Sequence, residues 1–208
     1  MKDLFVFTAD ADALAVIRAV LDRPSAIGIR SIACDVDRHT GKDPGMVKNG
    51  PELIRMTLKK TEFQNVMLIW DYDGSGDLRS PEQSRAGIQL RLRQVTWEDR
   101  SDAVVVVPEI EEWLWHDLSA LAHGLSIDVT RLQPHIDSFV AKRNKDFLTC
   151  KRTQPKELFE HCLYQVSRRK PLPDDFKRIA TSANLARWEE STTFASFMEI
   201  LRRWFPEA

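Results

Sequence analysis

Short apolar runs alternate with amphipathic segments through the first half of the chain. Runs at residues 4–7, 66–70 and 104–107 end in turn residues, and residues 27–34 alternate loosely between apolar and polar side chains. Short apolar runs bounded by turns are typical of buried strands. We interpret these four segments as strands, with helices at residues 13–21, about 52–60 and 80 to about 94. Such alternation predicts an α/β fold with a parallel sheet flanked by helices.

The pattern changes near residue 118. Helical spacing dominates from there on, at residues 126–144 with a break at Pro134, and at 155–167, 176–186 and 194–205. We therefore predict an α/β domain over residues 1–118 and a helical C-terminal region over residues 119–208 that packs on it. Within the first region, Asp12 is expected to cap the first helix. The polar, Gly- and Pro-rich stretch over residues 35–51 is expected to be a long loop.

Acidic side chains follow three of the predicted strands at the points where these strands end. The carboxylates are Asp10, Asp12, Asp71, Asp73, Asp77, Glu109 and Glu111. Ligands of parallel sheets bind beyond the carboxyl ends of the strands, so we expect four of these residues, Asp10, Asp71, Asp73 and Glu109, to lie near one edge. Carboxylates held close together repel each other unless a cation lies between them, and oxygen ligands suit magnesium or manganese, with calcium as a further candidate. The simpler alternative, a polar turn after a strand, requires fewer acids than this.

Composition limits the class of protein. The chain has 208 residues and three widely separated cysteines, which is typical of reduced thiols in the cytoplasm. No apolar run approaches the roughly 20 residues that span a bilayer, and the N-terminus shows no signal-peptide pattern. We therefore expect a cytoplasmic protein without a membrane partner.

Charge is distributed unevenly between the two regions. Residues 1–118 carry 15 Lys and Arg against 20 Asp and Glu, whereas residues 119–208 carry 15 against 11. An acidic half that could bind metal beside a basic half that could bind phosphates suits a nucleic-acid enzyme. The candidate phosphate-binding residues are Lys142, Arg143, Lys145, Arg168 and Arg169. The alternative is that these are ordinary solvated charges on helix surfaces.

Two short motifs carry a resemblance to a known family. The sequence Asp-Tyr-Asp at residues 71–73 and the sequence Pro-Glu-Ile-Glu-Glu-Trp-Leu at 108–114, each after a strand, resemble the Toprim-like proteins of bacterial defence loci, related to the OLD-family nucleases and RloB. The helical tail, with Lys156 near its start, is similar too. The resemblance implies a metal-dependent nuclease of an antiviral defence system, with nucleic acid as substrate and partner proteins in a complex.

One position departs from the pattern of that family. The first strand there ends in a glutamate of a Glu-Gly-x-x-Glu turn, and this chain has Thr8 in the place of that catalytic residue. The resemblance then leaves Asp10 or Asp12 as general acid/base, with Asp71, Asp73 and Glu109 or Glu111 as metal ligands. Because threonine cannot replace a carboxylate in these roles, a catalytically degenerate Toprim subunit that binds protein or nucleic acid is the alternative.

Two other motifs compete with this interpretation. The spacing of acids from Asp71 to Glu82 matches a calcium-binding EF-hand loop, although no second loop is present and residues 66–70 favour a strand. Asp71 and Asp73 after an apolar strand also resemble the first motif of haloacid-dehalogenase phosphatases, in which the first aspartate is the nucleophile. The late acidic pair Asp174–Asp175 follows prolines here rather than a strand.

Overall fold

Four parallel strands form the sheet, as the alternation of segments predicted. The computed structural model describes residues 1–207, except for the side chain of Thr96. The strands are β1 (Lys2–Thr8), β2 (Cys34–Arg38), β3 (Phe63–Asp71) and β4 (Ser101–Val106), in the order β2-β1-β3-β4. All neighbouring pairs are parallel. The α/β class with helices on the sheet is therefore confirmed, and this is the arrangement that the Toprim-like resemblance implies.

β3 is the centre of the core because its side chains are buried on both faces. Met67 and Ile69 join one apolar cluster, and Val66, Leu68 and Trp70 join the other. Strands of parallel sheets are covered by helices on both faces, which explains why the apolar run of β3 is continuous rather than alternating.

Helices connect the strands and build the C-terminal region. The connecting helices are α1 (Ala11–Leu21), α2 (Lys42–Thr57) and α3 (Pro81–Leu92). After β4 come α4 (Glu111–Leu114), α5 (Leu118–Gly124), α6 (Val129–Arg143), α7 (Phe147–Thr153), α8 (Pro155–Ser167), α9 (Pro173–Ser182), α10 (Leu185–Trp188) and α11 (Thr192–Trp204). Apolar residues of this region share one cluster with Met67 and Ile69 of β3, so it packs on that face of the sheet. Within residues 1–207, no helix combines the length and apolar character needed to cross a bilayer.

The predicted start of α3 is confirmed. Ser80 precedes the helix and its hydroxyl accepts a hydrogen bond from the backbone N–H of Gln83. The Gln83 side chain accepts in return from the Ser80 backbone N–H, which completes a capping box, and Pro81 occupies the first turn.

The second strand was predicted too early along the chain. Pro24–Ile27 form a 3-10 turn, and β2 begins only at Cys34. β2 pairs with β1 alone and lies at the sheet edge, so only Val36 of its five residues is fully buried. An edge strand with so little apolar character is hard to recognise from the sequence. Ile27 is buried because it joins the larger apolar cluster from its turn, and not because it lies in a strand.

The predicted loop over residues 35–51 is wrong, because α2 begins at Lys42 and contains most of its Gly and Pro residues. Pro51 cannot donate a backbone hydrogen bond to the Val47 carbonyl one turn earlier. That carbonyl instead accepts a hydrogen bond of 2.6 Å from Arg91 Nη1 of α3. Gly50 is tolerated for a packing reason, since a Cβ there would lie 3.1 Å from Leu68. The break predicted at Pro134 is also wrong, as this residue lies inside α6.

Candidate active site at the carboxyl edge of the sheet

A group of carboxylates lies beyond the carboxyl ends of β1, β3 and β4. We define this acidic edge as Asp10, Asp12, Asp43, Asp71, Asp73, Glu109 and Glu111. Asp10, Asp71, Asp73 and Glu109 were predicted from the strand ends, Asp12 and Glu111 from the family resemblance, and Asp43 was not predicted. The fold brings them to one side because parallel strands all end at the same edge.

Asp71 is the most deeply placed of these side chains. It is the last residue of β3 and only 8% exposed. Burial, together with the charges of Glu111, Asp43 and Asp10, raises the pKa of Asp71 well above its ordinary value. The backbone N–H of Asp71 also donates to Asp43 Oδ1 at 2.9 Å, which ties the end of β3 to the first turn of α2. A carboxyl group in this position is stable only if it binds a proton or a cation.

Glu111, the first residue of α4, is a second buried carboxyl group with a raised pKa. It is 4% exposed, and its pKa is raised to about 8, chiefly by burial, although Lys156 acts in the opposite direction. The pKa of Asp12 is raised to about 6 by burial and by the neighbouring Asp10. Such values, closer to neutral pH than those of free carboxylates, are common at functional sites.

Lys156 is the cation nearest to these carboxylates. Lys156 lies in the first turn of α8, and its ammonium group donates a hydrogen bond of 3.2 Å to Glu109 Oε1. Partial burial would lower the pKa of Lys156, but Glu111 and Glu109 outweigh burial and raise it. One ammonium group therefore serves several carboxylates at once, and it cannot neutralise all of them.

The turn after β1 is organised differently from the prediction. Asp10, not Asp12, caps α1: its Oδ1 accepts from the backbone N–H groups of Asp12 at 3.1 Å and Ala13 at 2.9 Å. Asp12 instead lies in the first turn of the helix, where the helix dipole stabilises a negative charge. Thr8 is fully buried, and its Oγ1 lies 3.2 Å from the carbonyl oxygens of both Asp10 and Asp37, which share its single hydroxyl hydrogen. Thr8 thus stabilises the turn and brings no charge to the edge.

Asp73 and Asp77, predicted as metal ligands with Asp71, have different surroundings. Asp73 is an exposed residue, but its carboxyl group is partly shielded from solvent. This partial burial and the charge of Glu157 raise its pKa. It is not among the four carboxylates that most affect Asp71. Asp77 is already paired, since its oxygens accept from the Arg79 guanidinium and from the Ser84 hydroxyl. These bonds, with that of Arg79 first, lower the pKa of Asp77. The charges of Glu111 and Asp43 therefore act most strongly on Asp71, whereas Asp77 interacts with Arg79 and Ser84.

The donor chemistry of the acidic edge fits a hard divalent cation, because every candidate donor is a carboxylate oxygen. Among residues 1–207, however, no three acidic, histidine or cysteine side chains already form a group that could hold an ion. A cation bound here would have to draw the side chains of Asp71, Asp43 and Glu111 together.

The EF-hand and phosphatase motifs lack the surrounding structure that each of them requires. β3 occupies the place of the entering helix of an EF-hand, and Asp175 is paired with Arg169.

The five predicted phosphate contacts fall into two groups. Arg169 is held by Asp175 through two hydrogen bonds of 2.6 Å, so it is already neutralised within the chain. Arg143 lies over the ring of Phe139 and Arg168 over that of Tyr164, and both remain exposed. Lys142 and Lys145 are exposed near the end of α6. Arg168 follows α8, whose first turn carries Lys156, so these two residues lie about 18 Å apart along the helix axis at about 1.5 Å per residue.

Sequence reasoning missed Asp43 and a second polar cluster around Glu112. Asp43 lies in the stretch interpreted as a loop, although Asp43-Pro44 is a common start of a helix. Glu112 lies in α4 and His116 in the turn after it, four residues further on, and their side chains are 2.7 Å apart. No protein-family model, curated protein or solved structure matches the chain.

Proposed function

We propose that the protein is a divergent Toprim-like, divalent-metal-dependent nuclease-type component of a bacterial antiviral defence system, acting in the cytoplasm on nucleic-acid phosphodiesters. The observation that supports this most is the buried, uncompensated pair of carboxyl groups at the acidic edge, Asp71 and Glu111. Both have raised pKa values, and neither carboxyl group is hydrogen-bonded to another side chain within the described residues; Glu111 accepts only from its own backbone N–H. Additional positive charge would stabilise these two carboxylates, because Lys156 alone compensates them only in part.

Each residue then has a role that its surroundings support. Asp71, Asp43 and Glu111 would hold magnesium or manganese through carboxylate oxygens. A divalent cation in this position supplies an activated water and stabilises charge on the phosphate. Asp12, whose pKa of about 6 lies close to neutral pH, is suited to proton transfer as general acid/base. Asp10 holds the turn in place, and its Oδ2 remains available.

The exposed basic residues extend this proposal to the substrate. Lys142, Arg143, Lys145 and Arg168 present positive charge without a carboxylate partner in the described part of the chain. Lys156 and Arg168 lie at opposite ends of α8, about 18 Å apart at about 1.5 Å per residue, which corresponds to about five base pairs at about 3.4 Å each. A nucleic acid bound along α8 could therefore contact both ends of the helix.

Two observations favour the second candidate, a catalytically inactive Toprim subunit that binds nucleic acid or a partner protein. Thr8, the last residue of β1, is not a carboxylate, and its single hydroxyl hydrogen is shared between the carbonyl groups of Asp10 and Asp37. Lys156 lies against Glu109 where a cation would otherwise compete for the same oxygen. In this version the carboxylates at the edge bind a partner, and no bond is cleaved.

Cleavage assays on single- and double-stranded DNA and RNA separate the two candidates. The purified chain is compared with Asp71→Asn, Thr8→Glu and the exposed control Asp99→Asn, in manganese and in EDTA. For an enzyme we expect weak manganese-dependent cleavage that is lost in Asp71→Asn, kept in Asp99→Asn and increased in Thr8→Glu. General acid–base help contributes roughly 10²–10⁴-fold, so Asp12→Asn should also reduce the rate clearly. No cleavage by the wild type or by Thr8→Glu would leave the inactive subunit as the better description.

A further inference from the structure

A second polar cluster lines a cavity of about 540 Å³ between α4, α7 and the turn before α11. Its central residues are Glu112, His116, Lys151 and Ser191. Glu112, Lys151 and Ser191 are each at most 8% exposed, and the His116 side chain is 5% exposed. Buried charged residues of this kind are uncommon unless they are paired or bind a ligand.

Hydrogen bonds fix the polarity of this cluster. Ser191 Oγ donates to Glu112 Oε2 at 2.6 Å, and His116 Nε2 lies 2.7 Å from Glu112 Oε1. Because an ionised carboxylate only accepts, Nε2 carries the hydrogen, and His116 Nδ1 accepts from Lys151 Nζ at 2.9 Å. Both oxygens of Glu112 are thereby used within the protein.

Lys151 is left with unused donors that border the cavity. An ammonium group has three N–H bonds, and only the one to His116 is used within the described residues. Burial lowers the pKa of Lys151 even though the Glu112 and Glu190 carboxylates act in the opposite direction. Additional negative charge in the cavity would therefore stabilise this ammonium group.

A second cation and a weakly held anion complete the lining. Arg152 is exposed at the cavity and makes no hydrogen bond or ion pair within the described part of the chain. Glu190 lies with one oxygen 3.5 Å from His116 Nδ1, but its side chain is 72% exposed. Because Nδ1 carries no hydrogen in this arrangement, Glu190 has no hydrogen bond to His116 and interacts with the charge of Lys151 only from an exposed position, so a ligand anion can displace its carboxylate.

We propose that this cavity binds a phosphate monoester, with Lys151 and Arg152 contacting the phosphate and Glu190 occupying its place when no ligand is bound. Two adjacent cations match a dianion better than a single carboxylate. The cavity is larger than a phosphate ion and falls within the range of small-molecule sites, so it can also admit an attached nucleoside. The phosphate can belong to a free nucleotide or to the 5′ end of a nucleic-acid strand.

Calorimetric titration in EDTA tests this site apart from the metal proposal. The probes are inorganic phosphate, AMP, and one oligonucleotide with either a 5′-phosphate or a 5′-hydroxyl group. We expect AMP to bind, and the 5′-phosphorylated strand to bind more tightly than its hydroxyl form if strand ends are the source. Binding of AMP and phosphate with equal affinity for both strands identifies a small molecule as the source. The absence of binding by every probe at millimolar concentration would refute the site.

Three variants and one control show whether the named residues are responsible. Lys151→Met and Arg152→Ala should each weaken binding about tenfold or more, since each removes a hydrogen bond to a charged group. Glu190→Gln should tighten it by removing the competing carboxylate. Lys60→Met, which removes an exposed lysine outside the cavity, should change nothing. Equal affinity of wild type, Arg152→Ala and Glu190→Gln would overturn the proposal even if Lys151→Met fails to fold.

Discussion

Glu111 and Glu112 are adjacent in the chain and nearly equally buried, yet they lie in opposite environments. Glu111 faces Lys156 and the carboxylates of the acidic edge, and its pKa is raised to about 8. Glu112 faces the other way and accepts hydrogen bonds from Ser191 and His116. The two sides of one short helix thus contain an uncompensated carboxyl group and a fully bonded one.

The difference shows how burial alone fails to identify a functional carboxylate. A buried carboxylate with hydrogen bonds to both oxygens stabilises the fold, and removing it leaves its partners unpaired. A buried carboxylate without such bonds destabilises the fold until a proton or cation arrives. Glu112 therefore belongs to the framework and Glu111 to the candidate site, although the sequence presents both in the same motif.

Replacing the two glutamates by alanine should separate these roles most clearly. Glu112→Ala leaves the Ser191 hydroxyl and the His116–Lys151 pair without their acceptor, so the free energy of unfolding should fall by about 3–5 kcal/mol. Glu111→Ala should cost far less in EDTA, since it removes an unfavourable charge. Urea denaturation at pH 8 measures both. Equal losses in the two variants would contradict the distinction.

The pH dependence of stability should follow from Glu111. Its folded-state pKa of about 8 lies above the ordinary value of 4.5, so the folded protein binds the proton more tightly than the unfolded chain. The free energy of unfolding should therefore decrease as the pH rises from about 4.5 to about 8, by roughly 4 kcal/mol from this group. Asp71 acts in the same direction.

Denaturation in EDTA at pH 5.5 and 8.5 checks this expectation. The variant Glu111→Gln keeps the shape of the side chain but cannot ionise, so the pH dependence should become clearly smaller, and the part due to Asp71 should remain. Asp99→Asn, at an exposed acid, is the matched control and should retain it. A wild type that is as stable at pH 8.5 as at pH 5.5 would show that Glu111 and Asp71 are already neutralised.

Divalent cations should reverse the same destabilisation. Magnesium or manganese at about 100 times the dissociation constant contributes about 2.7 kcal/mol to a folded state that binds it. For a chain of this size this corresponds to an increase in melting temperature of roughly 5 °C. Asp71→Asn should abolish the increase, whereas Asp77→Asn should leave it unchanged because Asp77 is bonded to Arg79 and Ser84. A response to calcium alone would favour the EF-hand alternative.

The sequence predicted the strands whose apolar runs are continuous and the acids that follow them. It failed where tertiary contacts decide the local structure. β2 carries one buried residue, and α2 contains Pro51, whose missing hydrogen bond is replaced by Arg91 from α3. Asp43 reached the site only because α2 begins where a loop was expected. The pairing of Asp77 with Arg79 was equally invisible, since spacing shows that an acid is nearby but not which way it turns.

The smallest expected effect concerns the basic surface. If Lys142, Arg143, Lys145 and Arg168 contact phosphates, nucleic-acid affinity should fall steeply as salt increases. Each contact removed should reduce the slope of log K against log salt by about one, so Lys142→Met and Arg168→Ala should each have this effect. Arg169→Ala should leave the slope unchanged, because its guanidinium is bonded to Asp175, although the loss of that ion pair lowers stability. Fluorescence anisotropy over a salt series measures the slopes. A slope that changes in Arg169→Ala and not in Lys142→Met would show that exposure and internal pairing do not decide which charges bind nucleic acid here.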